Sequence, residues 1–174
     1  MRALPILAIL LAAPLMAQGR HDSNAPVNFG ADHIELQDKA NRVLLTGNVT
    51  LKQAEMTLNA QRMTVAYTGQ VVDGSPQVSR FDAAGNVVVT RPDQVARGQY
   101  GIYDLNRRVI TMLGGVTLTQ GTNTVNGSRL TMNLDTGRAV IDGSSVPGGA
   151  GAGGGTVTQS GGRVTGTFSV PKRN

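Results

Sequence analysis

The stretch from Arg42 to Leu51, RVLLTGNVTL, decides how this chain is read, because the chain repeats it. A second copy runs from Arg80 to Val89, with Gly85-Asn86-Val87 standing where Gly47-Asn48-Val49 stand in the first. A third surrounds Gly114-Gly115-Val116, and a fourth opens at Arg138 and reaches Gly143. A small residue follows each of the first three glycines by 13 positions: Ala60, Gly98 and Gly127. Gly114 and Gly143 come 16 positions after Gly98 and Gly127, and Ala31 precedes Gly47 by the same interval. The unit is therefore 29 residues long. A fixed period of this size marks a repeat architecture, in which each unit is one supersecondary element. The interval from Ala60 to Gly85 is nine residues longer, and the turn-rich stretch Gly69 to Ser79 fills it.

Around each glycine, apolar residues recur at a spacing of two. They are Val43, Leu45, Val49 and Leu51 in the first copy, Phe81, Ala83, Val87 and Val89 in the second, and Ile110, Met112, Val116 and Leu118 in the third. Residues between them are mostly Thr, Asn, Asp or Lys, so one face is dry. Past a turn, the dry set continues at Leu58, Ala96 and Val125. Beyond the small residue it resumes one position out of phase, at Met63 and Val65, Gly101 and Tyr103, Leu130 and Met132. A one-residue slip flips the dry face unless a bulge absorbs it. Each unit is thus two strands, one bending at a glycine and the other at a small residue.

Strands are expected over residues 31–36, 42–51, 57–67, 78–90, 95–105, 108–119, 124–134 and 138–142. Between them lie turn residues such as Arg91-Pro92-Asp93 and Asp135-Thr136-Gly137. Turns this short imply antiparallel pairing. The expected fold is all-β: antiparallel strands folded at their small residues into two facing sheets, with the dry positions between them. Whether that space is a packed core or a groove left open for an elongated apolar ligand is not decided by composition.

Residues 1–17 read as a signal peptide, with Arg2 before an apolar run and small residues after it, and cleavage after Ala17 or Gly19. The alternative is a retained membrane anchor, though the run is short and holds Pro5 and Pro14. Residues 18–30 read as a flexible N-terminus, 31–146 as the β-domain, 147–162 as a Gly-rich linker and 163–171 as a last strand. The formal charge is +5, without a basic cluster or an aromatic platform, which argues against nucleic acid. Cysteine is absent, so no disulfide or thiolate metal site exists.

The search for chemistry finds no catalytic constellation. His21 falls in the loose N-terminus and His33 stands alone beside Asp32 and Glu35. The acidic residues sit mostly at turns, and no Gly-rich stretch carries the Lys-Ser/Thr of a phosphate loop. No catalytic residue, metal ligand or cofactor is assigned.

The ordered set Thr46-Gly47-Asn48-Val49, the Ala60 strand, Gly74-Ser75-Pro76 before Phe81, Gly85-Asn86-Val87, Leu113-Gly114-Gly115-Val116, Asn126-Gly127, Arg163-Val164-Thr165 and Val170-Pro171 resembles the OstA-like family (organic solvent tolerance-like N-terminal domain) of lipopolysaccharide-transport proteins. The resemblance spans roughly residues 31–171, and the Gly-rich linker departs from the family's pattern. It implies a twisted β-jellyroll, open at both ends, in the periplasm, carrying lipopolysaccharide from the inner to the outer membrane. The lipid-binding interior would be Leu36, Val43, Leu45, Val49, Leu51, Leu58, Met63, Val65, Phe81, Val87, Val89, Tyr103, Ile110, Met112, Val116, Leu118, Val125, Leu130, Met132 and Ile141. The implied partners are lipopolysaccharide, the inner-membrane jellyroll component, the outer-membrane assembly protein, and further copies joined end to end. Their candidate edges are Ala31, His33, Ile34 and Leu36 on one side and Ala139, Val140 and Ile141 on the other. Arg107, Arg108, Lys172 and Arg173 are candidate rim contacts for lipid phosphates. The alternatives are a membrane-anchored relative of the same system and a structural β-solenoid with a filled interior.

Overall fold

The computed structural model describes residues 21–69, 76–143 and 164–167. Ten strands follow in order: β1 Val27–Gly30, β2 His33–Gln37, β3 Arg42–Gln53, β4 Met56–Thr68, β5 Gln77–Arg91, β6 Gln94–Asp104, β7 Val109–Gln120, β8 Asn123–Asn133, β9 Ala139–Asp142 and β10 Thr165–Thr167. All pairings are antiparallel, and β3 to β8 pair each with the next as a meander within one ten-stranded sheet. The all-β, antiparallel expectation holds. The signal segment, the inserted loop at 70–75, the Gly-rich linker and the ends of the last expected strand lie outside the described residues, as do Lys172 and Arg173.

The sheet is folded along a crease. Each pairing from β3–β4 to β7–β8 changes register there, at Thr46/Val49, Asn59/Arg62, Ala84/Val87, Arg97/Tyr100 and Leu113/Val116. These are the bulges that the phase slip requires. Two consecutive left-handed residues make the bend in β3, β5 and β7: Gly47-Asn48 at φ 79° and 45°, Gly85-Asn86 at 84° and 48°, Gly114-Gly115 at 82° and 61°. Only Gly, and at some cost Asn, takes this conformation readily, which is why those letters recur. A polar side chain lies over the first glycine each time, Asp32 on Gly47, Gln61 on Gly85 and Gln99 on Gly114, in the space a Cβ would fill.

The crease divides the long strands into two arms that face each other. Gly101 on one arm lies so close to Val87 on the other that a Cβ would come within 2.9 Å of its methyl. On the first arm the pairing sets Leu36, Val43, Val65, Phe81, Tyr103, Ile110, Met132 and Ala139 side by side across eight strands. The Phe81 and Tyr103 rings stack within this row, centroids 6.2 Å apart. Core side chains from Leu45 to Leu134 are nearly all fully buried. Full burial of one such side chain contributes about 1.5–3 kcal/mol, so the sheet interior is the main stabilising element of a fold without disulfides.

Two expectations need correction at the N-terminus. Residues 27–30, expected within the flexible N-terminus, form a strand instead: β1 pairs with the far half of β3, Val27 opposite Gln53 and Phe29 opposite Leu51. Val27 and Phe29 already carry the two-residue spacing, and they extend the dry face. Nor is 31–36 a single strand. The chain steps from one arm to the other between β1 and β2. Asp32 fixes the step: its N–H donates to Gly47 O at 2.9 Å and its Oδ2 accepts from Asn48 Nδ2 at 2.8 Å. Ala31 therefore belongs to the step and packs against the core rather than on an edge strand.

Candidate functional site

Parity along the strands determines what lines the space between the arms. Fifteen of the twenty residues expected there are buried, among them Leu45, Met63, Phe81, Tyr103, Val116 and Leu130. Val43, Leu118 and Ile141 are partly buried against this cluster, and Val125 is partly buried beside them. Leu36 departs from the expectation, at 53% exposed. It stands on the inward row, but β2 is the last strand of that arm among the described residues.

Three rows run unbroken across the sheet. One starts at Leu36 and ends at Ala139; a second starts at Ile34 and ends at Ile141; a third, on the other arm, starts at Phe29 and ends at Gly166. At the N-terminal edge the rows end in exposed side chains, Phe29 41%, Ile34 51% and Leu36 53%. At the other edge Ala139 is exposed, Ile141 is partly covered, and Val140 points outward at 38%. Among the described residues, β2 and β9 each have a neighbour on one side only. The first arm therefore ends in a free strand at each edge.

The two arms also meet at their tips, away from the crease, and there the chemistry changes. Gln53 continues the inward parity of Val49 and Leu51 and is 2% exposed. Its Oε1 accepts from Tyr103 Oη across the gap at 2.5 Å, and its Nε2 donates to Ser23 O and Ala25 O, each at 3.0 Å. The His21 ring nitrogen Nε2 lies 3.3 Å from the same Oε1. From there residues 21–25 reach the first arm, where Ser23 Oγ donates to Asp135 Oδ1 at 3.1 Å and Arg108 Nη2 donates to Asn24 Oδ1 at 2.9 Å. Arg108 also forms an ion pair with Asp135 at 3.2 Å. The N-terminal segment is thus a strap across the seam between the arms.

Burial among apolar neighbours pushes the Tyr103 hydroxyl up to about 12, against the smaller lowering influence of Gln53. It remains a hydrogen-bond donor throughout the neutral range. His21 shifts the other way: desolvation lowers it, Gln53 opposes that, and the Arg91 charge lowers it further. A neutral imidazole suits the seam, where a second cation would stand near Arg91.

Beyond the strap the seam opens into a pocket of about 540 Å³, lined by Arg91, Asp93, Gln94, Leu118, Gln120 and Leu134 with the Asp135–Ala139 turn. Arg91 and Gln53 were missed in the sequence. Both sit at strand ends within turn-like letters, yet both keep the inward parity, and that parity is the signal that could have found them. Of the candidate rim cations, Arg108 is committed to Asp135 and Asn24, while Arg107 is exposed in the β6–β7 turn. His33 is exposed on β2, and among the described residues no group of three or more His, Asp or Glu could hold a metal.

A folded sheet with glycine creases and apolar rows running from edge to edge is a specific arrangement, and the comparisons with known proteins bear on it directly. The model of the family described as "LptA/(LptD N-terminal domain) LPS transport protein" matches residues 29–138. The chain belongs to this family. Within the LptA/LptD N-terminal family, one solved relative is LptH, "the LptA homologous periplasmic component of the conserved lipopolysaccharide transport device from Pseudomonas aeruginosa". It superimposes with a TM-score of 0.68 over 86% of this chain and 99% of that one, at 16% identity, a likeness of fold. An uncharacterized protein of Rhizobium meliloti (strain 1021) is 33% identical over 140 residues, 78% of this chain and 75% of its own length.

Proposed function

We propose that this member of the LptA/LptD N-terminal family is a periplasmic carrier that binds lipopolysaccharide and passes it from the inner towards the outer membrane. The acyl chains lie between the two arms and the sugars project outside. The observation that carries this reading is the set of three apolar rows running from edge to edge and ending in exposed Phe29, Ile34 and Leu36. A chain lying along such a row gains about 0.8 kcal/mol per buried CH₂, enough for firm binding.

The central side chains cover one another, so loading requires the arms to part. The seam along their tips suits that movement, because a few polar contacts hold it. The edges would take the partners: β2, with His33, Ile34 and Leu36, meets the inner-membrane component, and β9, with Ala139, Val140 and Ile141, meets the outer-membrane assembly protein or another copy. Ala31 steadies the approach to the first edge. Strand addition at such edges supplies main-chain hydrogen bonds to a like module. Residues 1–17 would direct export and be removed. The role needs no catalytic group, metal or cofactor, and none is assigned.

Photo-crosslinking in cells tests this. A photoreactive residue at Val116 or Leu118 is expected to give lipopolysaccharide adducts. At Thr117, which faces outward and donates to Asn126 Oδ1 at 2.9 Å, none is expected. If folded, exported protein gives no adduct at Val116 or Leu118, the interior is a structural core and the filled β-solenoid replaces the carrier.

A further inference from the structure

Among the described residues Arg91 is the one charged side chain that the fold buries. It is 9% exposed, and among the described residues it forms no ion pair. Its Nη1 donates to the Met132 thioether at 3.6 Å, a weak acceptor reached across the gap between the arms. A buried guanidinium with so little compensation is costly unless an anion completes it. The Arg91 side chain lines the 540 Å³ seam pocket.

The pocket walls indicate what kind of anion fits. Leu118 and Leu134 line it on the interior side, while Gln94, Gln120 and Thr136 supply neutral hydrogen-bonding groups. Two carboxylates line it as well. Asp135 is matched by Arg108 at 3.2 Å, and Asp93 lies exposed in the β5–β6 turn, where its Oδ2 accepts from Gln120 Nε2 at 3.4 Å. Solvent screens Asp93, whereas Arg91 sits inside, so the buried charge dominates for a group entering the pocket. A planar guanidinium fork favours a phosphate or carboxylate held by two parallel bonds.

We propose that Arg91 is a binding site for a phosphate monoester, presented by the headgroup of a lipid whose acyl chain passes between the arm tips beside Leu118 and Leu134. This rests on the carrier reading above. It adds a lateral port, in the seam beyond the N-terminal strap, and a residue that reads the headgroup there.

The test compares three probes on the mature protein: an acylated glucosamine disaccharide carrying phosphates, the same lipid without them, and inorganic phosphate. Wild-type protein is expected to bind the phosphorylated lipid about tenfold more tightly than its neutral counterpart. Arg91→Gln and Arg91→Met are expected to remove that preference while leaving affinity for the neutral lipid unchanged, which also reports that the variants are folded. Inorganic phosphate alone, followed through the Arg91 Nε–H resonance, distinguishes a free anion from a headgroup. A saturable shift matched by competition with the phosphorylated lipid supports the site and identifies the shared group. Equal affinity for both lipids in wild type, or a preference that survives in both variants, overturns the proposal and leaves lipid carriage standing. Failure to bind either lipid overturns the carrier reading itself.

Discussion

Replacing Gln53 by Leu is expected to loosen the seam without touching the crease. The side chain is 2% exposed and makes four hydrogen bonds: its Oε1 meets Tyr103 Oη and His21 Nε2, and its Nε2 donates to the strap carbonyls of Ser23 and Ala25. Leu fills similar space but accepts nothing, so the Tyr103 hydroxyl, in a residue 1% exposed, is left buried and unpaired. An orphaned buried donor costs about 1–3 kcal/mol, and each lost hydrogen bond to the strap about 0.5–1.5 kcal/mol before its carbonyl is rehydrated. A total of about 2–6 kcal/mol follows. Urea denaturation measures it, and hydrogen exchange at Asn24 and nearby amides measures release of the strap. The double variant Gln53→Leu with Tyr103→Phe removes both members of the cross-arm pair and is expected to recover part of the loss, since two apolar partners leave nothing unsatisfied there. A single variant within about 0.5 kcal/mol of wild type, or a double variant whose loss equals the sum of the singles, refutes the coupling between the arms.

Gly85→Ala places a Cβ at φ 84° and into the Gln61 side chain, and is expected to cost about 1–3 kcal/mol in thermal or urea unfolding. Because His21 is lowered in the fold, its unfolded form takes up a proton first as pH falls through about 6.5. Strap closure is therefore complete above that pH and weakens below it, which an NMR titration of His21 with amide exchange of the strap checks. Tyr103 gives the opposite limb: its contribution is whole below its unfolded value of about 10 and is lost as pH rises towards about 12, as alkaline unfolding monitored at the tyrosinate band reads. Ile34→Lys and Leu36→Lys alter exposed edge residues, so stability is expected to stay within about 0.5 kcal/mol. Any end-to-end association seen by light scattering is expected to fall.

The repeat makes most of this fold legible in the sequence. The Gly-Asn and Gly-Gly pairs mark bends because their letters state a backbone conformation, and the phase slip at Ala60 and Gly98 states a bulge. Those two local rules are enough to align the dry face of every long strand. They fail where structure depends on what lies beside a strand or far along the chain. Leu36 carries the inward parity, but its exposure comes from its place on β2, which among the described residues has a neighbour on one side only. Ser23 meets Asp135 across 112 residues, and nothing near either letter announces the meeting. Arg91 and Gln53 were hidden for a different reason: polar letters at strand tips look like turn, although the parity that buries Val87 and Leu51 runs on through them.

The crease has a consequence for how such proteins can change in size. A repeat unit such as Gly85 to Leu113 carries its own bend, its own bulge and, in Gln99, the polar side chain that covers the next glycine, so a duplicated unit arrives with everything needed to join the stack. Neighbouring strands lie about 4.8 Å apart, and one extra unit adds two of them. Duplication or loss of a single unit would therefore lengthen or shorten the molecule by about 10 Å without altering its cross-section. Span is a heritable dimension here, adjustable in whole steps, independent of the chemistry along the interior.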